Sequence, residues 1–135
     1  MCSYDEISQL KGLLSPQEIE CLKQVTKKYP FKMSKFYLDL INFDDPNDPL
    51  RKLYIPTMEE LDQDGDADTS AENKNTVIRG MQHKYPQTVL LLTTNKCAAY
   101  CRHCFRKRMV GVDNNEVVTD INEVIRYIKA NKQVS

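Results

Sequence analysis

Three cysteines, Cys97, Cys101 and Cys104, stand at spacing C-x3-C-x2-C within the stretch from Thr93 to Arg108. A cysteine is a metal ligand only as its thiolate, and three thiolates this close in sequence can fold around one soft metal centre. Arg102, Arg106, Lys107 and Arg108 lie among and after them, and positive charge favours thiolates and any anionic group brought nearby. The count of three is informative. Structural zinc sites and ordinary iron–sulfur clusters are closed by four protein ligands, whereas a centre one ligand short keeps a position open for a substrate. Two other readings use the same residues. His103 could complete a zinc knuckle, although it abuts Cys104 and zinc sites usually pair ligands from two separated knuckles. The three could also be reduced core thiols, although so basic and polar a context is unlike core packing.

The elements that must hold this loop can be read on either side of it. Val89 to Leu92 is an apolar run that reads as a buried strand, so the cysteine loop leaves a strand's C-terminal end, where parallel α/β barrels and open sheets place their chemistry. After Gly111 and a polar turn at Asp113 to Asn115, Asp120 with Glu123 predicts a capped helix, with Ile121, Val124, Ile125 and Ile128 on one face. Strand, loop and helix make one β/α unit. Such a unit alone cannot bury both faces of its strand, so a parallel strand is expected next and the chain reads as a fragment of a barrel.

Upstream, Ser15-Pro16-Gln17-Glu18 has the form of a capping box with proline at the first helical position, and Ile19, Leu22 and Val25 give the helix its apolar face up to Tyr29-Pro30. Leu10, Leu13 and Leu14 around Gly12 suggest a shorter helix before it. Ser34 is expected to cap another, with Phe36, Tyr37, Leu40 and Ile41 as core residues. Asp45-Pro46 and Asp48-Pro49 predict an irregular connector, and Thr57 with Glu60 a further helix start. Asp62 to Asp68 has the outline of a calcium loop, but Ala67 and Asn73 occupy the positions that need glycine and glutamate. A solvated acidic linker is expected instead. The expected organisation is a helical arm over 1–60, the linker over 61–80 and the start of a catalytic domain over 81–135.

Bulk composition narrows the classes. A chain of 135 residues suits one modest domain, and 19 basic against 19 acidic residues provides no global field for nucleic acid or an anionic membrane. No apolar run approaches a bilayer's thickness, and the N-terminus lacks a signal-peptide pattern. Five cysteines, three of them clustered, argue against a secreted disulfide framework and for a reducing cytoplasm. Cys2 and Cys21 stand alone and read as incidental thiols.

Several stretches resemble the lysine 2,3-aminomutase family of radical S-adenosylmethionine enzymes: Phe36 to Ile41, Asp45 to Lys52, Ile55-Pro56-Thr57, His83-Lys84-Tyr85-Pro86, Val89 to Leu92 and Tyr100-Cys101-Arg102-His103-Cys104. The matches keep their order from about residue 30 onward. The resemblance implies an α/β fold, an N-terminal helical arm followed by the first β/α unit of a truncated radical S-adenosylmethionine barrel of partial TIM type. Cys97, Cys101 and Cys104 would hold three irons of a 4Fe-4S cluster whose fourth iron takes S-adenosylmethionine and cleaves it to a 5'-deoxyadenosyl radical. His103 would lie against the adenine, Arg106 would pair with the substrate carboxylate, and Lys84 would face the phosphate of pyridoxal phosphate. The implied reaction is a 2,3-amino shift on an amino acid, with an electron donor such as flavodoxin or ferredoxin and a homo-oligomeric, longer protein. The 135 residues alone would be inactive. Lysine-acting members carry arginine at the positions of Lys84 and Thr88 and threonine at that of Phe105, so the substrate is open. A relative that modifies a lysine of a translation factor, and a non-catalytic zinc- or cluster-binding module, are the alternatives.

Overall fold

The computed structural model describes residues 3–62 and 64–135, so Cys2 lies outside the described residues. The first half is a compact arm. A short strand β1 (Ser3–Tyr4) pairs antiparallel with β2 (Met33–Ser34). Between them lie a 3-10 turn, Ile7–Leu10, and helix α1 (Pro16–Lys28). The capping box at the start of α1 forms as expected: Glu18 N donates to Ser15 Oγ at 3.2 Å, and Ser15 N donates to the Glu18 carboxylate at 2.8 Å. Ile19, Leu22 and Val25 are buried on one face. With Ile7, Leu10, Leu14, Phe31, Met33, Leu38, Ile41, Tyr54 and Ile55 they form one apolar cluster.

Helix α2 (Lys35–Leu38) is a single turn capped by Ser34, whose Oγ accepts from Tyr37 N. Of the aromatic run expected in the core, Phe36 is 67% exposed and Leu40 53%, so only Tyr37, Leu38 and Ile41 face inward. One turn presents one face, and the other two side chains fall on the opposite side.

The connector expected at Asp48-Pro49 is instead the start of helix α3 (Pro49–Tyr54). Asp48 accepts from Arg51 N at 2.7 Å, and Pro49 takes the first helical position, where a missing N–H costs nothing. A 3-10 turn, Met58–Leu61, follows, with Thr57 and Glu60 as its capping box.

The second half is a three-stranded antiparallel sheet followed by a helix. Helix α4 (Glu72–Asn75) leads into β3 (Thr76–Ile78), β4 (Met81–Tyr85) and β5 (Thr88–Leu91), in the order β3-β4-β5. The described strands pair antiparallel in two small sheets, and β5 is followed by the cysteine loop and a helix in the expected order of strand, loop and helix. The run from Val89 is also less buried than expected, with Val89 and Leu91 half-buried and Leu90 42% exposed. Helix α5 (Ile121–Ala130) starts as predicted, Asp120 accepting from Asn122 N at 2.8 Å. Only Val124 of its apolar stripe is fully buried; Ile121 and Ile125 are exposed.

Helix α5 is tied to the hairpin by His83, whose Nδ1 lies 2.8 Å from the Tyr127 hydroxyl and whose Nε2 lies 3.1 Å from Pro86 O. A carbonyl only accepts, so Nε2 carries the proton and Nδ1 accepts from the tyrosine. Gly80 has φ +75°, and a Cβ there would meet Val118 N at 2.1 Å, because the segment before α5 runs beside it. Val118 N donates to Leu92 O and Leu92 N to Gly80 O, both at 2.8 Å.

Candidate metal centre

Residues 95–112 leave the end of β5 and return to it. The neck is closed by two hydrogen bonds, Gly111 N to Asn95 O at 3.0 Å and Asn95 Nδ2 to Val112 O at 2.7 Å. Gly111 sits at φ +76° with Tyr100 directly against it; a Cβ would fall 2.4 Å from the ring. Glycine is needed there both for the left-handed backbone and for the close approach.

Inside the neck, the loop is pinned to the arm. Tyr100 N donates to Lys32 O at 2.8 Å and Arg102 N to Leu53 O at 2.7 Å, while Ala99 and Cys101 join the arm's apolar cluster. From Cys101 the backbone runs as successive turns, with Cys104 N donating to Cys101 O and Lys107 N to Cys104 O. These turns bring Cys97, Cys101 and Cys104 onto the wall of one cavity, together with Tyr29, Tyr100 and Lys107. All three are free thiols, Cys97 exposed and the other two half-buried. No histidine or carboxylate lines that cavity among the described residues. His103 is exposed, lines a separate groove with Glu59, Glu60 and Lys52, and is not among the residues lining the thiol cavity.

Among the described residues no three His, Cys, Asp or Glu side chains are drawn together around a single ion position. Cys97, Cys101 and Cys104 nevertheless line one cavity, and three cysteine thiols are the kind of donor that an iron–sulfur cluster would take. Burial raises the Cys101 thiol pKa, and the neighbouring Cys104 and Cys97 raise it further, against a backbone hydrogen bond and the Tyr54 hydroxyl, which lower it. Binding a metal there would release the proton. Burial, then Cys101 and Tyr37, push Tyr54 up to about 12, so its hydroxyl keeps its proton and remains a donor toward the sulfur.

The basic residues of the loop are not a free positive field. Arg102, 6% exposed, is held by Glu60: Nη2 donates to Oε2 at 2.6 Å and Nε to Oε1 at 3.0 Å, while Nη1 caps Pro30 O at 3.0 Å. Lys107 Nζ reaches the same Glu60 oxygen at 2.5 Å and lies over the Tyr29 ring. Burial raises the Glu60 carboxyl pKa, but the hydrogen bonds from Arg102 and Lys107 outweigh it and hold the group below the usual range. The charge expected to favour the thiolates is thus largely spent on anchoring the loop.

Arg106 and Arg108 meet a second carboxylate. Glu72 is 4% exposed and accepts from Arg106 Nη2 at 2.8 Å, Arg106 Nε at 3.0 Å and Arg108 Nη2 at 2.8 Å. Arg108 also grips Glu116 at 2.5 Å. Burial works to raise Glu72, yet the hydrogen bonds from Arg106 and Arg108 outweigh it and bring the group down to about 2. Asp68 accepts from Glu72 N and Asn73 N, both at 2.8 Å, and so shapes the turn that carries Glu72. The stretch expected to be a solvated acidic linker therefore contributes a buried charge. Spacing held no signal for Glu60 or Glu72, which lie 42 and 34 residues from their arginines. Lys84 is exposed on β4, its ammonium over the Tyr85 ring, and is not among the residues lining the thiol cavity.

The chain is similar in sequence to enzymes that move an amino group within an amino acid, the aminomutases. A relative from Aquifex aeolicus is 46% identical over 114 residues, covering 84% of this chain and 30% of its own length. The L-lysine 2,3-aminomutase of Acetoanaerobium sticklandii is 38% identical over 90% of this chain and 30% of its own, and the glutamate 2,3-aminomutase of Clostridioides difficile 36% over 90% and 29%. No family model matches. Relatives named lysine or glutamate 2,3-aminomutase are thus 36–46% identical to this chain, which spans about 30% of the length of the curated relatives it matches. No helix among the described residues is long and apolar enough to cross a membrane.

Proposed function

We propose that this chain is the cluster-holding part of a radical S-adenosylmethionine 2,3-aminomutase acting on an amino acid. One observation carries the reading: three thiols line a single cavity in a chain 36–46% identical to aminomutases. When bound, a 4Fe-4S cluster would supply the electron that breaks S-adenosylmethionine, and pyridoxal phosphate would carry the migrating nitrogen.

The chain's own residues hold and orient. Cys97, Cys101 and Cys104 are the cluster ligands, and the Tyr54 hydroxyl supports Cys101 from behind. Glu60 fixes the turn between Cys101 and Cys104 by binding Arg102 and Lys107 together. His103, exposed at the edge of its groove, offers a ring to the adenine. Arg106 offers a planar guanidinium to the substrate carboxylate, a pairing that sets the amino acid in register. Lys84 is the residue left for the pyridoxal phosphate anion. The partners that follow are a small amino acid, a reductant of the flavodoxin or ferredoxin kind, and a second copy of the protein.

Anaerobic reconstitution with iron and sulfide tests the reading. The expected result is a brown protein with a paramagnetic signal on reduction that changes when S-adenosylmethionine is added, and that is lost in Cys97→Ala, Cys101→Ala or Cys104→Ala. A colourless protein holding one zinc per chain, with His103 needed for it, would overturn the proposal.

A further inference from the structure

The Arg106 guanidinium is held on two sides and open on the third. Glu72 takes its Nε and Nη2, the side edge of the planar group, at 3.0 and 2.8 Å. The Phe105 ring lies against its face, 4.8 Å from the guanidinium carbon. Nη1 makes no hydrogen bond to any described residue, and the side chain is 25% exposed, so the Nη1/Nη2 end edge is the part left for a ligand. An end edge with parallel N–H bonds fits one carboxylate in a bidentate pair.

Glu72 is itself a built part of the molecule. Asp68 accepts from Glu72 N and from the next amide, Asn73 N, Arg108 clamps the second Glu72 oxygen at 2.8 Å, and Glu72 is buried. A long arginine free at a loop surface would sample many rotamers and lose entropy on binding; one locked at its inner edge would not.

We propose that Glu72 is the positioning residue of the anion site: it locks Arg106 so that the outer edge of the guanidinium is presented, ready-made, to the α-carboxylate of the amino-acid substrate. This rests on the reading of Arg106 as the carboxylate partner. It assigns a role in substrate binding to a residue 34 positions away from Arg106 in sequence. Phe105 acts with it as the floor under the guanidinium.

The test is steady-state kinetics in the reconstituted holoenzyme, with L-lysine and L-glutamate as probes, on Arg106→Lys, Glu72→Gln and Glu72→Ala. Melting and the cluster's paramagnetic signal are recorded for each variant. Arg106→Lys should raise KM, because a point charge cannot make the paired bonds. Glu72→Gln keeps the shape but not the charge, and should raise KM by roughly tenfold, the scale of one charge-assisted hydrogen bond. kcat and the cluster signal should change little, and Glu72→Ala should be worse in KM. If Arg106→Lys raises KM and Glu72→Gln leaves it unchanged or lowers it, the positioning role is wrong while the anion reading of Arg106 survives. If Arg106→Lys leaves KM unchanged, that reading fails and the role of Glu72 falls with it. Loss of folding or of the cluster signal in Glu72→Gln would assign Glu72 to the scaffold and overturn the proposal.

Discussion

Two carboxylates, the half-buried Glu60 and the buried Glu72, each serve two cations of the cysteine loop. Removing one partner of such a group leaves an uncompensated buried charge, which costs about 3–5 kcal/mol, whereas an exposed ion pair such as Lys23–Glu20 is screened by solvent and contributes little. The same residues set the acid response. Glu72 falls from its ordinary 4.5 to about 2 on folding. A depressed carboxylate stabilises the folded state fully above the unfolded value, and that contribution, about 3 kcal/mol, is lost as pH falls from 4.5 toward 2. Glu60, also lowered, acts in the same direction. Denaturant midpoints measured between pH 6 and pH 2.5 should therefore drop steeply below pH 4.5, and the drop should be shallower in Glu72→Gln, which has no such proton to gain. An equal slope in both proteins would show that Glu72 is not depressed.

The loop is an element in its own right, closed at its neck and anchored at Tyr100 and Arg102. Gly111 decides whether the neck can close. Gly111→Ala places a methyl on a left-handed backbone and into the Tyr100 ring, and should destabilise the protein by about 1–3 kcal/mol. The lower melting temperature should be accompanied by weaker iron retention, because Tyr100 lines the thiol cavity. By contrast Gly12→Ala, with nothing within 4 Å of its Cβ, should cost only the backbone penalty and leave iron retention unchanged. Equal iron loss in both would separate the neck from the site. Element starts were readable because a cap is written in three or four adjacent residues, as at Ser15 and Asp120. Helix α3 was missed for a related reason: Asp48-Pro49 is a turn signal and a helix start alike, and only the buried Tyr54 and half-buried Leu53 five residues on distinguish them.

At the scale of the whole molecule, the cysteine spacing marks three thiols that the fold brings to one cavity wall, but what surrounds them does not show in the sequence. The apolar run from Val89 carries no mark of pairing direction, and β4 is joined to it by a turn too short for a parallel crossover. The ion pairs that hold the loop link residues more than thirty positions apart, a distance at which local pattern is blind. The arm and the loop meet because Ala99 and Cys101 share the arm's apolar cluster, so ordering of the arm and of the thiols belongs to one packing event. That shared wall has an optical consequence. The chain has seven tyrosines and no tryptophan, and Tyr29 and Tyr100 line the thiol cavity while Tyr54 sits behind Cys101. Ultraviolet-excited emission thus comes from phenol rings alone, three of them beside the sulfurs. Titration with iron and sulfide should dim that emission stepwise, giving a label-free readout of loading, and Cys97→Ala should abolish the dimming.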